Sequence, residues 1–361
     1  MKTVFINNLY SPYAVGGAET VVEGRMKDSV TRGDRVVLIT SSSWKGWKSW
    51  VPQKGMEGDI VIYRFWVPNL CWYKNLSKHG LIFKLVWHFI DLFNFWSGKI
   101  VKSILDKENP DLVETHNLMG IGYDFGMKKK GLETKWKHYL HDVQLVEPSG
   151  VLSWNYEKDN LYQKIYSRIT KNKFKDVDFV VSPSIFLKEF YEERGFFLNS
   201  DFIVENSTLK ITNDRKQIPN KLQNENYKFL FVGSLVEHKG LRVLMQAWDN
   251  LEDNGQELHI VGDGLMREEM EKWAELEKRI IVHGRLEGEK LEEMYRDSNI
   301  LIFASTCIEN NPTVIHEAMH YGLGVIAADT GGVREILDRD NSWLYIPDDV
   351  EGLIKIVKRF I

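Results

Sequence analysis

Short apolar runs alternate with helical patterns along most of this chain, and one polar stretch interrupts the alternation. Six apolar runs before the interruption and five after it predict β-strands separated by helices. The interruption, residues 206–226, is rich in charged and amide side chains and lacks sustained periodicity. Buried strands separated by helices are typical of parallel sheets covered on both faces. The sequence therefore predicts an α/β protein of two doubly wound domains, residues 1–208 and 209–361, that face a central cleft.

In doubly wound sheets, ligands bind beside the carboxyl ends of the strands, so a site is expected in the loops that follow them. A chain of 361 residues is also longer than one hydrophobic core usually serves. The predicted strands are Thr3–Asn7, Arg35–Thr40, Asp59–Arg64, Leu112–Thr115, His138–Leu140 and Phe179–Ser182, then Lys228–Val232, Glu257–Val261, Ile280–His283, Ile300–Ala304 and Val325–Ala328.

Composition places the chain among intracellular globular proteins. Hydrophobic residues make up 43% and charged residues 27% of the sequence. Its two cysteines, Cys71 and Cys307, are too few for a disulfide framework and fit a reducing cytosol. The apolar run at the N-terminus is too short for a signal peptide. The expected location is the cytoplasm, including the inner face of the cytoplasmic membrane.

The segment Leu81–Trp96 comes closest to a membrane span, but it is too short and too polar for one. Its polar residues recur at helical spacing, which predicts one amphipathic helix with a broad apolar face. These residues are Lys84, His88, Asp91 and Asn94.

Charge and tryptophan are unevenly distributed. Residues 1–210 carry 29 Lys and Arg against 24 Asp and Glu, whereas residues 211–361 carry 18 against 27. Nine of the twelve tryptophans lie in the first part, which is therefore expected to meet an anionic surface or a bulky acceptor. One loop there, W-K-G-W-K-S-W, either contacts membrane headgroups or sugars, or packs locally. It contains Trp44, Lys45, Trp47, Lys48 and Trp50. Nucleic acid is not an expected partner.

The loop after the first strand lacks the G-x-G-x-x-G of a dehydrogenase, which disfavours a dinucleotide site of that kind. Gly16 and Gly17 lie there instead, just before a helix predicted at Ala18–Thr31. Without side chains, their backbone can approach an anion at the helix N-terminus. Taken alone, the pair is better explained by a plain tight turn.

The first strand of the second domain leads through Gly233 to Lys239, just before a helix that begins near Gly240. A lysine beside exposed helix amides suits a diphosphate, although an isolated lysine is more commonly a solvated one. The next two strands end in further candidates for a base, ribose or phosphate: Gly262, Asp263, Gly264 and Arg285.

Two chemistries compete for the segment between Glu309 and Gly332. His316, Glu317 and His320 form the H-E-x-x-H pattern of a zinc-protease helix. Glu309 and Glu317, with seven residues between them, instead suit sugar and ribose hydroxyls, because carboxylates accept paired hydroxyl hydrogen bonds.

The zinc interpretation is disfavoured, because a catalytic site needs a third ligand and the chain turns at Gly322 straight into an apolar strand. Asn311 and Pro312 have the form of an N-cap and a first helical residue, so the helix is expected to begin near Thr313. Glu309 then precedes the helix. No metal is expected, and the D-x-D pairs at 176–178 and 338–340 are predicted to be solvated turns.

Taken together, these motifs resemble the retaining glycosyltransferases of family 4, glycosyl transferases group 1, whose GT-B fold has two Rossmann-like domains. The resemblance covers nearly the whole chain and is dense in the second half. The motifs are G-G-A-E at 16–19, H-D at 141–142, V-S-P-S at 181–184, the loop 233–240, G-D-G at 262–264, E-N-N-P and H-E-A-M between 309 and 319, and G-G at 331–332.

For the first domain, the resemblance implies that Gly16 and Gly17 lie against the diphosphate of a sugar donor. It implies that His141 lies near the transferred sugar as a catalytic residue, with His116 in E-T-H-N as a second candidate.

For the second domain, the resemblance implies that Lys239 neutralises the diphosphate, that Glu309 holds the donor sugar, and that Glu317 binds the ribose. Lys239 and Glu309 are thereby assigned to catalysis with the histidine. The other implied donor-binding positions are Gly233, Ser234, Gly262, Asp263, Arg285, Asn310, Asn311, Pro312 and Thr313.

Three features depart from the family pattern. Ser234 stands where arginine often follows the glycine, so Arg285 or Arg242 is expected to supply part of the positive charge. Asn206-Ser207 replaces N-G. The last predicted helix, Val350–Phe360, is not followed by a helix returning to the first domain, which implies weaker closure or a shortened chain.

The predicted activity is transfer of a hexosyl group, with retention, from a UDP- or GDP-sugar to an acceptor hydroxyl. The implied route is front-face displacement, in which the leaving phosphate helps deprotonate the acceptor. No cofactor is expected. The expected acceptor is a lipid-linked or cell-surface glycan of polysaccharide or lipopolysaccharide biosynthesis. Two alternatives are open: a GT-B sugar phosphorylase or nucleotide-sugar epimerase, and a non-catalytic nucleotide-sugar-binding protein.

Overall fold

The computed structural model describes residues 1–13, 16–125, 134–205, 227–337 and 340–361. They form two compact units. The first takes the described residues of 1–151 and 158–206, and the second takes those of 152–157 and 207–361. The boundary predicted at 208/209 and the departure at Asn206-Ser207 lie outside the described residues.

In the part of the chain that is described, the first unit forms an eight-stranded sheet that is parallel except where β3 runs antiparallel to β4. Its spatial order is β3-β4-β2-β1-β5-β6-β7-β8, where β1 is Lys2–Ile6, β2 Arg35–Ser41, β3 Gln53–Glu57, β4 Ile60–Phe65, β5 Leu112–Thr115, β6 Lys135–Tyr139, β7 Phe179–Ser182 and β8 Asp201–Val204. The helices between these strands are α1 (Gly17–Thr31), α2 (Leu81–Leu92), α3 (Phe95–Glu108), α4 (Leu161–Lys173) and α5 (Ile185–Glu192).

The second unit forms a parallel sheet of six described strands in the order β11-β10-β9-β12-β13-β14. These are β9 (Lys228–Val232), β10 (Glu257–Val261), β11 (Ile280–Gly284), β12 (Ile300–Phe303), β13 (Gly324–Ala328) and β14 (Ser342–Tyr345). The helices are α6 (Leu241–Asp249), α7 (Arg267–Leu276), α8 (Glu289–Asp297), α9 (Thr313–His320), α10 (Val333–Ile336) and α11 (Val350–Val357).

All eleven predicted strands are present, with ends shifted by at most three residues. Three further strands, β3, β8 and β14, were not predicted, and each lies at an edge of its sheet. An edge strand needs no continuous apolar run, and every residue of β3 is exposed. The α/β prediction of two doubly wound units is confirmed.

Two helix predictions are wrong in extent. The segment Leu81–Trp96 is not one helix, because α2 ends at Leu92 and α3 starts at Phe95. Asn94 causes the restart, since its side-chain oxygen accepts a hydrogen bond from the Ser97 amide at 3.1 Å and caps α3. The last helix ends at Val357 rather than Phe360. Among the described residues, no helix has the length and apolar character needed to cross a membrane.

Among the described residues, seven histidines have a lowered pKa. Burial lowers the pKa of His88 to about 4 and that of His138 to about 3. Burial also raises the pKa of two carboxyls, Asp91 to about 7 and Asp142 to about 6. The other histidines whose pKa is lowered, with burial the largest cause for each, are His116, His141, His238, His283 and His316.

We therefore expect stability to decrease as the pH falls from 7 to 5. The unfolded chain protonates its histidines near pH 6.5 while the folded chain keeps them neutral, so the unfolded state binds more protons. The two carboxyls oppose this trend, because the folded state protonates them first, but the histidines outnumber them. Thermal unfolding at pH 7.5, 6.0 and 5.0 tests this, and His88→Gln should make the decline shallower. A midpoint that is constant or rises on acidification would contradict it.

Candidate functional site

Lys239 and Glu309 meet at the carboxyl ends of two neighbouring strands, β9 and β12. Lys239 ends a 3₁₀ turn after β9, and its Nζ lies 2.5 Å from Oε1 of Glu309. Ser305 Oγ donates to the same carboxylate oxygen at 2.8 Å. The two residues assigned to diphosphate and sugar are therefore an ion pair, which the sequence analysis did not predict.

Backbone contacts fix the two loops that carry this pair. The Thr306 amide donates to the His238 carbonyl at 2.9 Å, which joins the loop after β12 to the turn before Lys239. Gly240 follows with φ of 74°, and a Cβ atom there would lie 1.7 Å from the Ala304 carbonyl oxygen. Any larger residue at 240 would displace the turn.

Electrostatics keep Lys239 charged. Burial lowers its pKa, but the neighbouring Glu309 carboxylate outweighs burial and the pKa is raised overall. Burial and the same carboxylate raise the pKa of the Cys307 thiol to about 11, so the thiol is neutral. The pair therefore presents an ammonium and a carboxylate with a neutral thiol beside them, at the strand ends where ligands bind.

The Gly331-Gly332 pair shapes the loop that holds Glu309. The Gly332 amide donates to the Glu309 carbonyl at 2.8 Å. Gly331 has φ of 56°, and a Cβ there would lie 2.1 Å from the same carbonyl oxygen. Thr330 Oγ1 donates to the Cys307 carbonyl at 2.9 Å. The motif thus sets the position of the Glu309 backbone.

The loops after β9 and β10 pack directly on each other. The Gly233 amide donates to the Val261 carbonyl at 3.0 Å, and the Leu235 amide donates to the Asp263 carbonyl at 2.9 Å. A Cβ at Gly262 would lie 1.8 Å from the Gly233 carbonyl oxygen, which explains the glycine. The close approach brings the predicted positions Gly233, Ser234 and 262–264 together.

The two arginines expected to replace the missing arginine at 234 are both paired with carboxylates. Arg285 Nε donates to Glu287 Oε1 at 2.7 Å. Arg242 Nε donates to Glu237 at 2.7 Å, and its NH1 donates to Glu269 at the same distance. Both arginine side chains are more than half exposed. The cation paired with Glu309 is Lys239.

Helix α9 begins at Thr313, as predicted, but its N-cap is Pro312 and not Asn311. Pro312 makes no side-chain cap, because its ring carries no hydrogen-bonding group. The Asn311 side chain is turned to His316 instead, with Oδ1 2.5 Å from Nε2. Asn310, which precedes it, is buried. Glu317 lies one turn inside α9, where its Oε2 accepts a hydrogen bond from the Tyr295 hydroxyl at 2.6 Å.

These contacts separate the members of the H-E-x-x-H pattern. His316 is buried against Asn311, Glu317 is oriented by Tyr295, and the His320 ring lies 4.9 Å from that of Tyr321. Within the described ranges, no group of three or more His, Cys, Asp or Glu is placed to hold a metal. Of the D-x-D residues, Asp178 accepts bonds from Lys135 and the Trp136 amide, and Asp338 lies outside those ranges.

In the first unit, His141 ends a buried chain of polar side chains. His141 Nε2 lies 2.9 Å from His116 Nδ1, and His116 Nε2 lies 3.1 Å from Glu114 Oε1. Arg25 Nε donates to Glu114 Oε1 at 2.5 Å and its NH2 donates to Oε2 at 3.1 Å. Arg25 also pairs with Glu205 at 3.1 Å. The two histidines considered from sequence are thus partners in one network.

The network determines where the protons lie. Burial by itself raises the pKa of Glu114, but the hydrogen bonds from His116 and Arg25 have the larger combined effect. The pKa is therefore lowered overall, and the group is an ionised acceptor. His116 Nε2 must then donate to it, and a neutral His116 accepts at Nδ1. His141, whose pKa burial also lowers, consequently donates from Nε2 and is an acceptor at Nδ1.

The other predicted residues of the first unit start helix α1. The helix begins at Gly17, one residue before the predicted start. The Gly16 amide donates to Glu19 Oε2 at 2.9 Å, so a side chain of the same helix satisfies this donor.

Comparison with known proteins identifies the chemistry. Residues 212–361 match the family model described as Glycosyl transferases group 1. An uncharacterized 42.6 kDa protein in the cps region of Klebsiella pneumoniae is 25% identical over 99% of this chain and 92% of that protein. The lipopolysaccharide 1,2-N-acetylglucosaminetransferase of Salmonella typhimurium is 29% identical over 44% of this chain and 46% of that enzyme. The chain is a glycosyltransferase.

The glycosyltransferase has the predicted GT-B fold. Anabaena HepE in complex with UDP-glucose matches it with a TM-score of 0.64 and 18% identity, covering 99% of this chain and 89% of that one. At this level of identity the likeness concerns the fold, two Rossmann-like units. The resemblance to group 1 glycosyltransferases is supported by the family model over residues 212–361.

Several residues that hold the predicted side chains within each unit of the glycosyltransferase were not predicted from the sequence. They are Arg25, Glu114, Tyr295 and Ser305, which hold the predicted residues His116, Glu317 and Glu309. Of these four, only Glu114 could have been predicted from the sequence, because it lies two residues before the candidate His116 in E-T-H-N.

Gly331→Ala is expected to destabilise the glycosyltransferase by about 2–4 kcal/mol, from left-handed backbone strain and the clash with the Glu309 carbonyl. The matched control is Gly33→Ala. Gly33 has φ of 83°, but a Cβ there meets nothing within 4 Å, so only strain of about 1–2 kcal/mol applies. Urea unfolding measures both variants. Equal losses would show that Gly331 does not support the Glu309 loop.

Proposed function

We propose that this glycosyltransferase is a retaining family 4 enzyme that moves a hexosyl group from a nucleoside diphosphate sugar to an acceptor hydroxyl. The Lys239–Glu309 pair at the carboxyl ends of β9 and β12 is the observation that carries the proposal. An ammonium fixed beside a carboxylate offers one partner to a diphosphate and one to sugar hydroxyls.

In the proposed reaction, the bond from the anomeric carbon to the diphosphate oxygen breaks and the acceptor oxygen bonds to the same face of that carbon. The acceptor proton passes to the leaving phosphate. Lys239 stabilises the negative charge that develops on the diphosphate. Glu309 accepts hydrogen bonds from the sugar, and Glu317, oriented by Tyr295, accepts them from the ribose.

For the first unit, we propose that His141 contacts the transferred sugar and that Gly16 and Gly17 lie against the diphosphate. The proton assignment makes His141 Nδ1 an acceptor, which suits a sugar hydroxyl. The network of His116 and Glu114 holds that ring in one tautomer.

The donor is proposed to be a UDP- or GDP-sugar, and the complex of HepE with UDP-glucose supports a uridine donor. A thermal-shift panel of UDP-, GDP-, ADP- and TDP-sugars identifies it, because a ligand that binds the folded state raises the unfolding midpoint. Failure of every donor to shift the midpoint would count against the proposal.

The acceptor is proposed to be a lipid-linked or cell-surface glycan, reached from the cytoplasmic side. Support comes from the cps-region protein and the lipopolysaccharide transferase among the relatives. We propose that neither metal nor cofactor takes part, and EDTA should leave turnover unchanged.

Proton NMR of the product tests the reaction itself. With the donor found by the panel, the anomeric configuration of the new bond should equal that of the donor. An inverted product would exclude retention. Turnover that requires inorganic phosphate would indicate a phosphorylase, turnover without an acceptor would indicate an epimerase, and donor binding without turnover would indicate a binding protein.

A further inference from the structure

Helix α2 has two apolar faces, and only one is covered. Trp87 and Asp91 lie on the covered face and are buried, with Asp91 Oδ2 accepting a hydrogen bond from the Gly120 amide at 2.9 Å. On the other face Leu81, Ile82 and Phe89 are 73%, 79% and 65% exposed. A helix held by one face while its other face stays apolar is suited to a further contact.

The exposed face continues past the end of α2. Residues 81, 85, 89 and 93 follow one another at intervals of four, which places them along one line of the helix surface. The start of α3 adds two large exposed side chains. We call this surface the apolar ridge; it consists of Leu81, Ile82, Leu85, Val86, Phe89, Phe93, Phe95 and Trp96, each at least 41% exposed.

Basic residues outnumber acidic ones along the sequence of the apolar ridge. Between residues 60 and 105 the sequence contains six Lys and Arg and a single acidic residue, the buried Asp91. Two carboxylates from outside this stretch lie beside it and are paired with lysines: Asp106 with Lys102, and Asp124 with Lys173, whose ammonium lies over the Phe93 ring. The Lys99 ammonium lies 5.3 Å from the Trp96 ring centroid, at the ridge itself. The basic residues are Arg64, Lys74, Lys78, Lys84, Lys99 and Lys102.

Helices that bind at the surface of anionic bilayers carry large apolar side chains, including Trp and Phe, that are flanked by lysines. The apolar ridge has this composition. At 12 residues α2 is about 18 Å long, too short to span a bilayer but sufficient to lie along its surface. In the Trp loop considered from sequence, Trp44 and Trp50 pack on Trp66 at 4.9 and 5.0 Å, and Trp47 is the most exposed side chain at 83%, so Trp47 is the residue by which that loop is tested.

We infer that the apolar ridge binds the surface of an anionic lipid bilayer. The contact uses residues outside the candidate site, and it is measured without donor or acceptor. It therefore stands or fails separately from the proposed sugar transfer.

Vesicle flotation tests the inference with the full chain. Wild type should bind vesicles of phosphatidylcholine and phosphatidylglycerol at 7:3 and bind pure phosphatidylcholine at least tenfold more weakly, with binding reduced in 0.5 M NaCl. Ile82→Ser with Phe89→Ser should weaken binding at least tenfold. Lys78→Gln with Lys84→Gln should weaken it severalfold.

The matched control is Leu265→Ser with Leu276→Ser in the second unit, where the side chains are 92% and 87% exposed. This variant and Trp47→Ala should bind like wild type, and all variants should keep the wild-type unfolding midpoint. The inference is overturned if wild type ignores anionic vesicles or binds neutral ones equally well. It is also overturned if the ridge variant binds unchanged, or if light scattering shows that the ridge variant converts a wild-type dimer into a monomer.

Discussion

Replacing Glu309 by Gln is expected to lower kcat/KM for sugar transfer by about 100- to 1000-fold, the range found when one fixed polar group that stabilises a transition state is removed. Glu309 Oε1 accepts hydrogen bonds from both Lys239 and Ser305. A neutral amide keeps the shape of the side chain but loses the charge that positions the ammonium. Steady-state release of nucleoside diphosphate, with the donor found by thermal shift, measures the loss.

The control for Glu309→Gln is another Lys–Glu pair of the same unit. Glu268 Oε1 accepts from Lys272 Nζ at 2.8 Å on the surface of α7, with the glutamate 81% exposed. Exposed pairs contribute little, so Glu268→Gln should change neither turnover nor the unfolding midpoint measurably. If Glu309→Gln retained more than a tenth of wild-type kcat/KM, the assigned role of the pair would be wrong.

The second large effect concerns stability. Glu114→Gln is expected to destabilise the first unit by about 3 kcal/mol, because the amide loses the charge that holds Arg25 and leaves that largely buried guanidinium paired with Glu205 alone. Glu114 is 3% exposed and holds Arg25 through two hydrogen bonds, while also accepting from His116. Urea unfolding followed by tryptophan fluorescence measures the difference.

The chain contains a second copy of the same arrangement in a more exposed setting. His283 Nε2 lies 2.9 Å from His259 Nδ1, and His259 Nε2 lies 3.2 Å from Glu257 Oε2. Glu257 is 44% exposed, so Glu257→Gln should cost less than about 1 kcal/mol. A similar loss for both variants would mean that burial of the Arg25–Glu114 pair is not the cause.

The sheets were predictable because buried parallel strands leave continuous apolar runs, as in Lys228–Val232, whose bounds were predicted without error. The edge strand β3 leaves no such run, because all of its residues are exposed, whereas β8 and β14 contain short apolar runs that were not predicted to be strands. The break between α2 and α3 depends on the cap formed by Asn94. In the sequence, Asn94 has the spacing of the other polar residues of the segment, so it was assigned to the polar face of a single helix.

The residues of the candidate site could be proposed from the sequence, but the contacts between their side chains could not. Motifs named Lys239 and Glu309, yet nothing in a sequence shows that residues 70 positions apart form an ion pair. The same holds for Tyr295 and Glu317, which are 22 positions apart. Side-chain partners depend on which strands become neighbours in the sheet. Here β9 lies between β10, the next strand in the sequence, and β12, which comes three strands later.

The short segment Leu152–Glu157 belongs to the second unit although it lies within the sequence of the first. The Ile308 amide donates to the Leu152 carbonyl at 2.8 Å and the Trp154 amide donates to the Thr306 carbonyl at 3.1 Å, on the loop that leads to Glu309. Trp154 Nε1 donates to Asp348 Oδ2 at 2.7 Å. The second unit consequently does not consist of one continuous stretch of sequence. A chimera joined at residue 208 would pair the Glu309 loop with a foreign segment, so exchange of donor specificity between related enzymes should require residues 152–157 to be exchanged as well.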